Sequence, residues 1–191
     1  MIPFELHLST TPLAVDRLAP FQALCERLGT KALVIELDKG QTQTQPMLSE
    51  ESHFASLEAA LSHCQQLSQQ FQQAGFDITR VKLEVPVEYA IRFENTSQNY
   101  FEWHGKILLS EIDRAQPCCE AFQVHLSKNG LSTDTQRRFL TLRVYGTPTE
   151  FQAQVAQFKE CLTRQSIEVD KDRFEYCVFD DNVDLDAGWT H

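Results

Sequence analysis

The sequence predicts an α+β protein of two ferredoxin-like units, each β-α-β-β-α-β with an antiparallel sheet, arising from an internal duplication. Three observations carry this expectation. Segments of period-two hydrophobicity alternate with segments of helical spacing, in the same order twice. The tetrads FELH at 4–7 and FEWH at 101–104 lie 97 residues apart, and Phe54/Phe151, Leu61/Phe158 and Cys64/Cys161 repeat that offset. KLE at 82–84 then matches RFE at 173–175 after a shorter connection.

The first strand is read at 4–9, where Phe4, Leu6 and Leu8 point one way and Glu5, His7 and Ser9 the other. A helix follows near 13–28, with Leu18, Phe21, Cys25 and Leu28 on one stripe, Pro20 inside it and Gly29 as terminator. KALVIELD at 31–38 is a strand, DKGQ a turn, and 42–49 a weaker partner strand. Leu57, Leu61, Cys64, Leu67 and Phe71 mark a helix over 54–74, and 77–85 closes the first half as a strand. In the second half YFEWHGKILL opens as a strand and a helix is predicted at 114–126, ending at SKNG. LSTDTQ offers at most a short strand, and RRFLTLRVYG a strong one with Thr141 and Arg143 on its polar face. Thr147, Pro148 and Glu150 form a helix start, the helix runs to about 164, and 170–180 is the closing strand. The expected division is 1–92 for the first unit, 93–99 for a linker, 100–180 for the second unit and 181–191 for an acidic, exposed C-terminal tail in which Trp189 tethers the tail or meets a partner.

The chain has 191 residues, 42% of them hydrophobic with 13 Phe, enough for a core. No apolar run approaches the roughly 20 residues that span a bilayer, and the start lacks the charge pattern of a secretory leader, so a cytoplasmic protein is expected. A net charge of -10 with no basic run argues against nucleic acid and anionic lipid as partners. The six cysteines form no CxxC pair and are expected as reduced, buried thiols. No cofactor is expected. Free sheet edges make a homodimer through those edges an expectation.

Each four-stranded sheet with helices on one face leaves its other face open. The candidate ligand-binding residues sit on that open face: Glu5, Ser9, Lys82, Glu84, Glu102, Lys106, Arg143, Arg173 and Glu175, beside the candidate catalytic residues His7 and His104. Alone, such a face is held by cross-strand ion pairs of roughly 0.2–1 kcal/mol each. If the two open faces approach, they line one groove for a small polar ligand or a protein partner, which is the expected function. A metal-independent phosphoesterase is the alternative, with one imidazole taking a proton and the other giving one while Arg143 and Arg173 hold phosphate oxygens. A metal-dependent enzyme is the third reading, because His7, His104, Glu5 and Glu102 are acceptable ligand types; no metal is assigned, since no HExxH or comparable helix pair exists.

Two resemblances accompany these readings. HLS at 7–9 resembles the His-x-Thr/Ser motif of the two-histidine phosphoesterase superfamily, which implies His7 as acid or base and Ser9 as a hydrogen-bond donor to the phosphate; the second half departs from it, with Lys106 where a hydroxyl belongs. YFEWHGK, HLSKNG, RRFLTLR and DDNVDLDAGW together resemble a small bacterial family of uncharacterised, duplicated ferredoxin-like proteins. That resemblance implies the fold and carries no activity.

Overall fold

The computed structural model describes residues 1–188. Eight strands and four helices follow in order: β1 (Ile2–Thr10), α1 (Val15–Arg27), β2 (Lys31–Leu37), β3 (Thr44–Phe54), α2 (Leu57–Gln73), β4 (Ile78–Pro86), β5 (Tyr100–Leu108), α3 (Ile112–Phe122), β6 (His125–Asn129), β7 (Arg137–Val144), α4 (Pro148–Arg164) and β8 (Asp170–Asp180). Short 3-10 turns occupy Val87–Arg92, Leu109–Glu111 and Val183–Asp186.

The expectation of two separate ferredoxin-like units is corrected by the sheet. The strands form one closed antiparallel barrel in the order β1-β3-β2-β6-β7-β5-β8-β4. Closure comes from two pairings between the sequence halves. Leu37 lies opposite Ser127 across β2 and β6, and Lys82 lies opposite Asp180 across β4 and β8. The physical reason is the open face. Each half carries a charged strand face that no helix covers, and curling the strands into a barrel covers both at once. No groove between two sheets results. Each strand among the described residues has two neighbours, so the free edges that suggested edge-to-edge dimerisation are absent from them.

The hydrophobic core lies outside the barrel, between strands and helices. Phe4, Leu6, Leu8, Leu48 and Leu83 face Phe21, Leu24, Leu67 and Phe71 of α1 and α2. Phe101, Trp103, Leu140 and Leu142 face Phe151, Val155, Phe158 and Leu162 of α4. Phe101 stacks on Phe151 with centroids 5.2 Å apart, and Trp103 meets Phe158 edge-on at 5.7 Å. Gly105 makes room for that indole: a Cβ there would stand 2.5 Å from the Trp103 ring.

Most elements fall where periodicity places them, and α4 begins at the expected Thr147–Glu150 capping box. One does not. Residues 125–129, read as a helix end, are strand β6. The helix before them stops at Phe122 because Gln123 takes the left-handed conformation, φ 55°, that glycine usually supplies.

The cysteine expectation also changes. Cys118 and Cys161 form a disulfide that joins α3 to α4 across 43 residues, while Cys25, Cys64, Cys119 and Cys177 are buried thiols. Closing a loop of that length restricts the unfolded chain. Cys161→Ser is expected to lower unfolding free energy by about 2–4 kcal/mol in non-reducing urea titrations. A variant as stable as the parent would show that the bridge contributes nothing.

Candidate functional site

Because side chains alternate along a strand, the face opposite the core points into the barrel. That interior is ionic. Glu5 and His7 come from β1, Arg80, Lys82 and Glu84 from β4, Glu102 and His104 from β5, Arg143 from β7, and Arg173 and Glu175 from β8.

Eight of these close a ring of alternating charge. His7 Nε2 lies 3.5 Å from Glu5 Oε1 and 3.2 Å from Glu84 Oε2. Lys82 Nζ joins Glu84 Oε1 at 2.8 Å to Glu102 Oε2 at 2.6 Å. His104 Nε2 lies 3.3 Å from both Glu102 Oε2 and Glu175 Oε2. Arg173 Nε donates to Glu175 Oε1 at 2.8 Å, and its Nη2 pairs with Glu5, which completes the circuit. The ring has an internal correspondence. Glu5, His7, Lys82 and Glu84 take the same parts as Glu102, His104, Arg173 and Glu175.

Four carboxylates in a dry interior would repel one another, and four bases placed between them remove that cost. The titration behaviour follows. Burial disfavours the imidazolium of His104, but hydrogen bonds to Glu102 and Glu175 outweigh it and bring the pKa up to about 10. Burial likewise opposes a charged His7, and the Glu5 and Glu84 carboxylates reverse it, so its pKa is raised. Burial raises Glu84, yet Lys82 and His7 hold it down at about 2. Glu102 is held well below the usual carboxylate range against its own desolvation, by Lys82 and Arg143. Glu175 is the exception. Burial and the nearby Glu84 push it up despite His104, so it is the ring carboxylate that takes a proton most readily.

At one end of the barrel the ring meets a second ionic group, of which sequence reasoning singled out Arg143 alone. Arg143 Nε donates to Glu102 Oε1 at 2.8 Å, and the guanidinium lies 4.1 Å over the Tyr100 ring. Arg80 holds Asp180 through Nε at 2.9 Å and Nη2 at 2.5 Å, and Tyr100 donates to the same carboxylate at 2.6 Å. Asp186, expected on an exposed tail, is 2% exposed and lies against both arginines. Arg80 shares the face of Lys82 and Glu84 at period two, a signal available in the sequence. Nothing local marks Asp186 out from Asp180, Asp181 and Asp184. Trp189 lies outside the described residues.

The structure thus brings His7, His104, Glu5, Lys82, Glu84, Glu102, Arg143 and Glu175 into one interior, while Arg173, whose side chain is 46% exposed and also pairs with Glu51, closes the ring from the solvent side. Ser9 is buried beside them, opposite Arg80 in the ladder. Lys106 stands apart from the ring, its ammonium 4.3 Å from the centre of the Phe139 ring. Four buried polar atoms of this interior lack a hydrogen-bond partner among the described residues: His7 Nδ1, Ser9 Oγ, Arg143 Nη1 and Glu84 Oε1, the last compensated by the Lys82 ammonium at 2.8 Å. The two imidazoles therefore differ, since His104 Nδ1 meets Thr141 Oγ1 at 3.0 Å. Glu84, Glu102 and His104 bring ligand-type atoms within 4.8 Å of one another, but the Lys82 ammonium already lies between the two carboxylates. A divalent cation there would have to expel it.

No protein-family model matches the chain. No curated protein matches it. Among solved structures, it is similar to a "putative monooxygenase" from Fusobacterium nucleatum subsp. nucleatum at 13% identity and TM-score 0.37, covering 100% of this chain and 97% of that one. It is similar to a "putative monooxygenase" from Lactobacillus acidophilus at 10% identity and TM-score 0.34, covering 93% and 94%. The siroheme decarboxylase NirDL, solved with an iron-uroporphyrin III analogue, follows at 8% identity and TM-score 0.32, covering 93% and 72%. Scores of this size transfer no activity. None of these matches is to a phosphoesterase. No helix among the described residues is long and apolar enough to cross a membrane.

Proposed function

We propose that this chain binds a small polar ligand inside the barrel and is not an acid–base catalyst. The observation that carries the reading is the set of buried atoms with hydrogen-bonding capacity to spare, His7 Nδ1, Ser9 Oγ and Arg143 Nη1, in an interior whose charges are otherwise matched. Buried polar groups cost free energy unless they find partners, and a polar ligand supplies them. The paired-imidazole reading fares worse. A general base works best with a pKa near the working pH, whereas His104, at about 10, is held as an imidazolium by two carboxylates.

The test is thermal unfolding with millimolar inorganic phosphate, succinate, AMP, arginine and glucose. A ligand at 100 times its Kd stabilises by about 2.7 kcal/mol, which shifts the melting temperature of a chain this size by roughly 5–11 °C. At least one saturable shift is expected, lost or weakened in Ser9→Ala. A panel with no saturable shift, together with no small molecule released on denaturing the purified protein, would overturn the proposal.

A further inference from the structure

We propose that Asp186 is a tethered occupant of an anion site, and that the ligand is a small carboxylate or phosphate compound that displaces it. This rests on the reading of the barrel as a ligand-binding interior and names the class of ligand and the way the site is closed.

Among the described residues, the carboxylate of Asp186 makes the contacts a free anion would make. It accepts from Arg143 Nη2 at 2.7 Å, from Arg80 Nη1 at 3.0–3.1 Å and from Gln45 Nε2 at 3.3 Å. Two guanidiniums and an amide converging on one carboxylate is the arrangement by which proteins recognise carboxylates and phosphates. The two receiving guanidiniums are fixed independently of Asp186. Arg80 is held by Asp180, and Arg143 by Glu102 and the Tyr100 face. The delivering group is carried by a short element whose flanks are fastened by a few hydrogen bonds, among them Asn182 Nδ2 to the Thr79 carbonyl at 2.8 Å and Gln45 Nε2 to the Leu185 carbonyl at 3.3 Å. Asp186 sits on a single 3-10 turn, Val183–Asp186, whose Val183 and Asp184 are exposed.

Charge balance agrees. With Asp186 in place, its carboxylate and that of Asp180 match Arg80 and Arg143. Withdrawing it leaves the interior with one uncompensated positive charge, which asks for an anion. The surrounding interior also has donors that Asp186 does not use. Arg143 Nη1 is buried, in a side chain 4% exposed, and has no hydrogen-bond partner among the described residues; Ser9 Oγ is likewise buried beside the Arg80 strand. An aspartate carries two oxygens, whereas a phosphate or a second carboxylate offers more.

Displacement has a signature in the unaltered protein. The amide of Gln41 donates to the Ala187 carbonyl at 3.0 Å, and the amide of Ala187 to Asp184 at 2.9 Å. Saturating inorganic phosphate or succinate is expected to speed hydrogen exchange at Gln41 and Ala187 while shifting the side-chain signals of Gln45 and Arg143. Asp186→Asn keeps the shape and removes the competing charge, so it is expected to bind phosphate or succinate at least 10-fold more tightly. Where that variant unfolds without added anion, recovery of its fold by phosphate or succinate, and not by equal ionic strength of sodium chloride, gives the same answer.

Phosphate binding better than succinate, or the reverse, assigns the group. Equal affinity in the parent and Asp186→Asn, or exchange at Gln41 unchanged by either anion, would overturn the proposal. A saturable shift with glucose or arginine and none with any anion would overturn it while leaving interior ligand binding intact.

Discussion

Lys82→Met is expected to destabilise the protein by about 3–5 kcal/mol, measured by urea unfolding at neutral pH. Lys82 is the sole ammonium in the ring, and its Nζ touches both Glu84 and Glu102, whose side chains are 1% and 2% exposed. Methionine matches its length and gives up the charge. Two carboxylates are then left facing each other in a site with little water. A buried pair broken from one side costs far more than the pair is worth, because the remaining charge keeps its desolvation penalty. The double variant Lys82→Met/Glu84→Gln removes one of the stranded charges. It is expected to be more stable than the sum of the single effects by at least 1 kcal/mol. A loss under 1 kcal/mol for Lys82→Met would mean that the ring does not hold the barrel.

Stability is expected to peak between about pH 4.5 and 6.5 and to fall on both sides. The signs follow from linkage. His104 has its pKa raised from 6.5 to about 10, so its contribution is complete below pH 6.5 and lost as pH rises through 10. Glu84 has its pKa lowered from 4.5 to about 2, so its contribution is complete above pH 4.5 and lost as pH falls toward 2. Glu175 is raised, which works in the same sense as His104: part of its cost appears as pH rises through its titration. One proton changes stability by at most about 1.4 kcal/mol per pH unit. Because 26% of the His104 side chain is exposed, a loss of about 2–4 kcal/mol between pH 6.5 and 10 is expected. Urea midpoints across that range measure it, and His104→Gln should flatten the alkaline limb. A flat profile in the parent would count against a charged His104.

The ring was partly legible beforehand. Period two along β1, β4, β5 and β8 places Glu5, His7, Lys82, Glu84, Glu102, His104, Arg173 and Glu175 on the face away from the helices, and they lie there. What alternation cannot show is whether a sheet stays open or curls. That depends on pairings such as Lys82 with Asp180, between residues that share no local pattern. The same limit hid Asp186, which looks like one of several solvated acids until Arg80 and Arg143 are placed around it. β6 was hidden differently. Its HLSKN run is short, and the helix before it ends on Gln123 instead of a glycine, so no break was visible. The disulfide was invisible because Cys118 and Cys161 come together only when α3 packs on α4.

Barrel closure also bears on how the chain reaches its native state. β4 finds β8 about 100 positions away, and β2 finds β6 across a similar span, so the seams demand contacts of high sequence separation. Topologies rich in such contacts fold slowly, over milliseconds to seconds, because a long loop must be closed before its pairing is rewarded. Until both seams form, the charged inner faces stay wet, and that hydration shields the nascent strands from pairing with other chains. The ionic lining thus acts as a guard against aggregation during assembly before it becomes the interior of the finished protein.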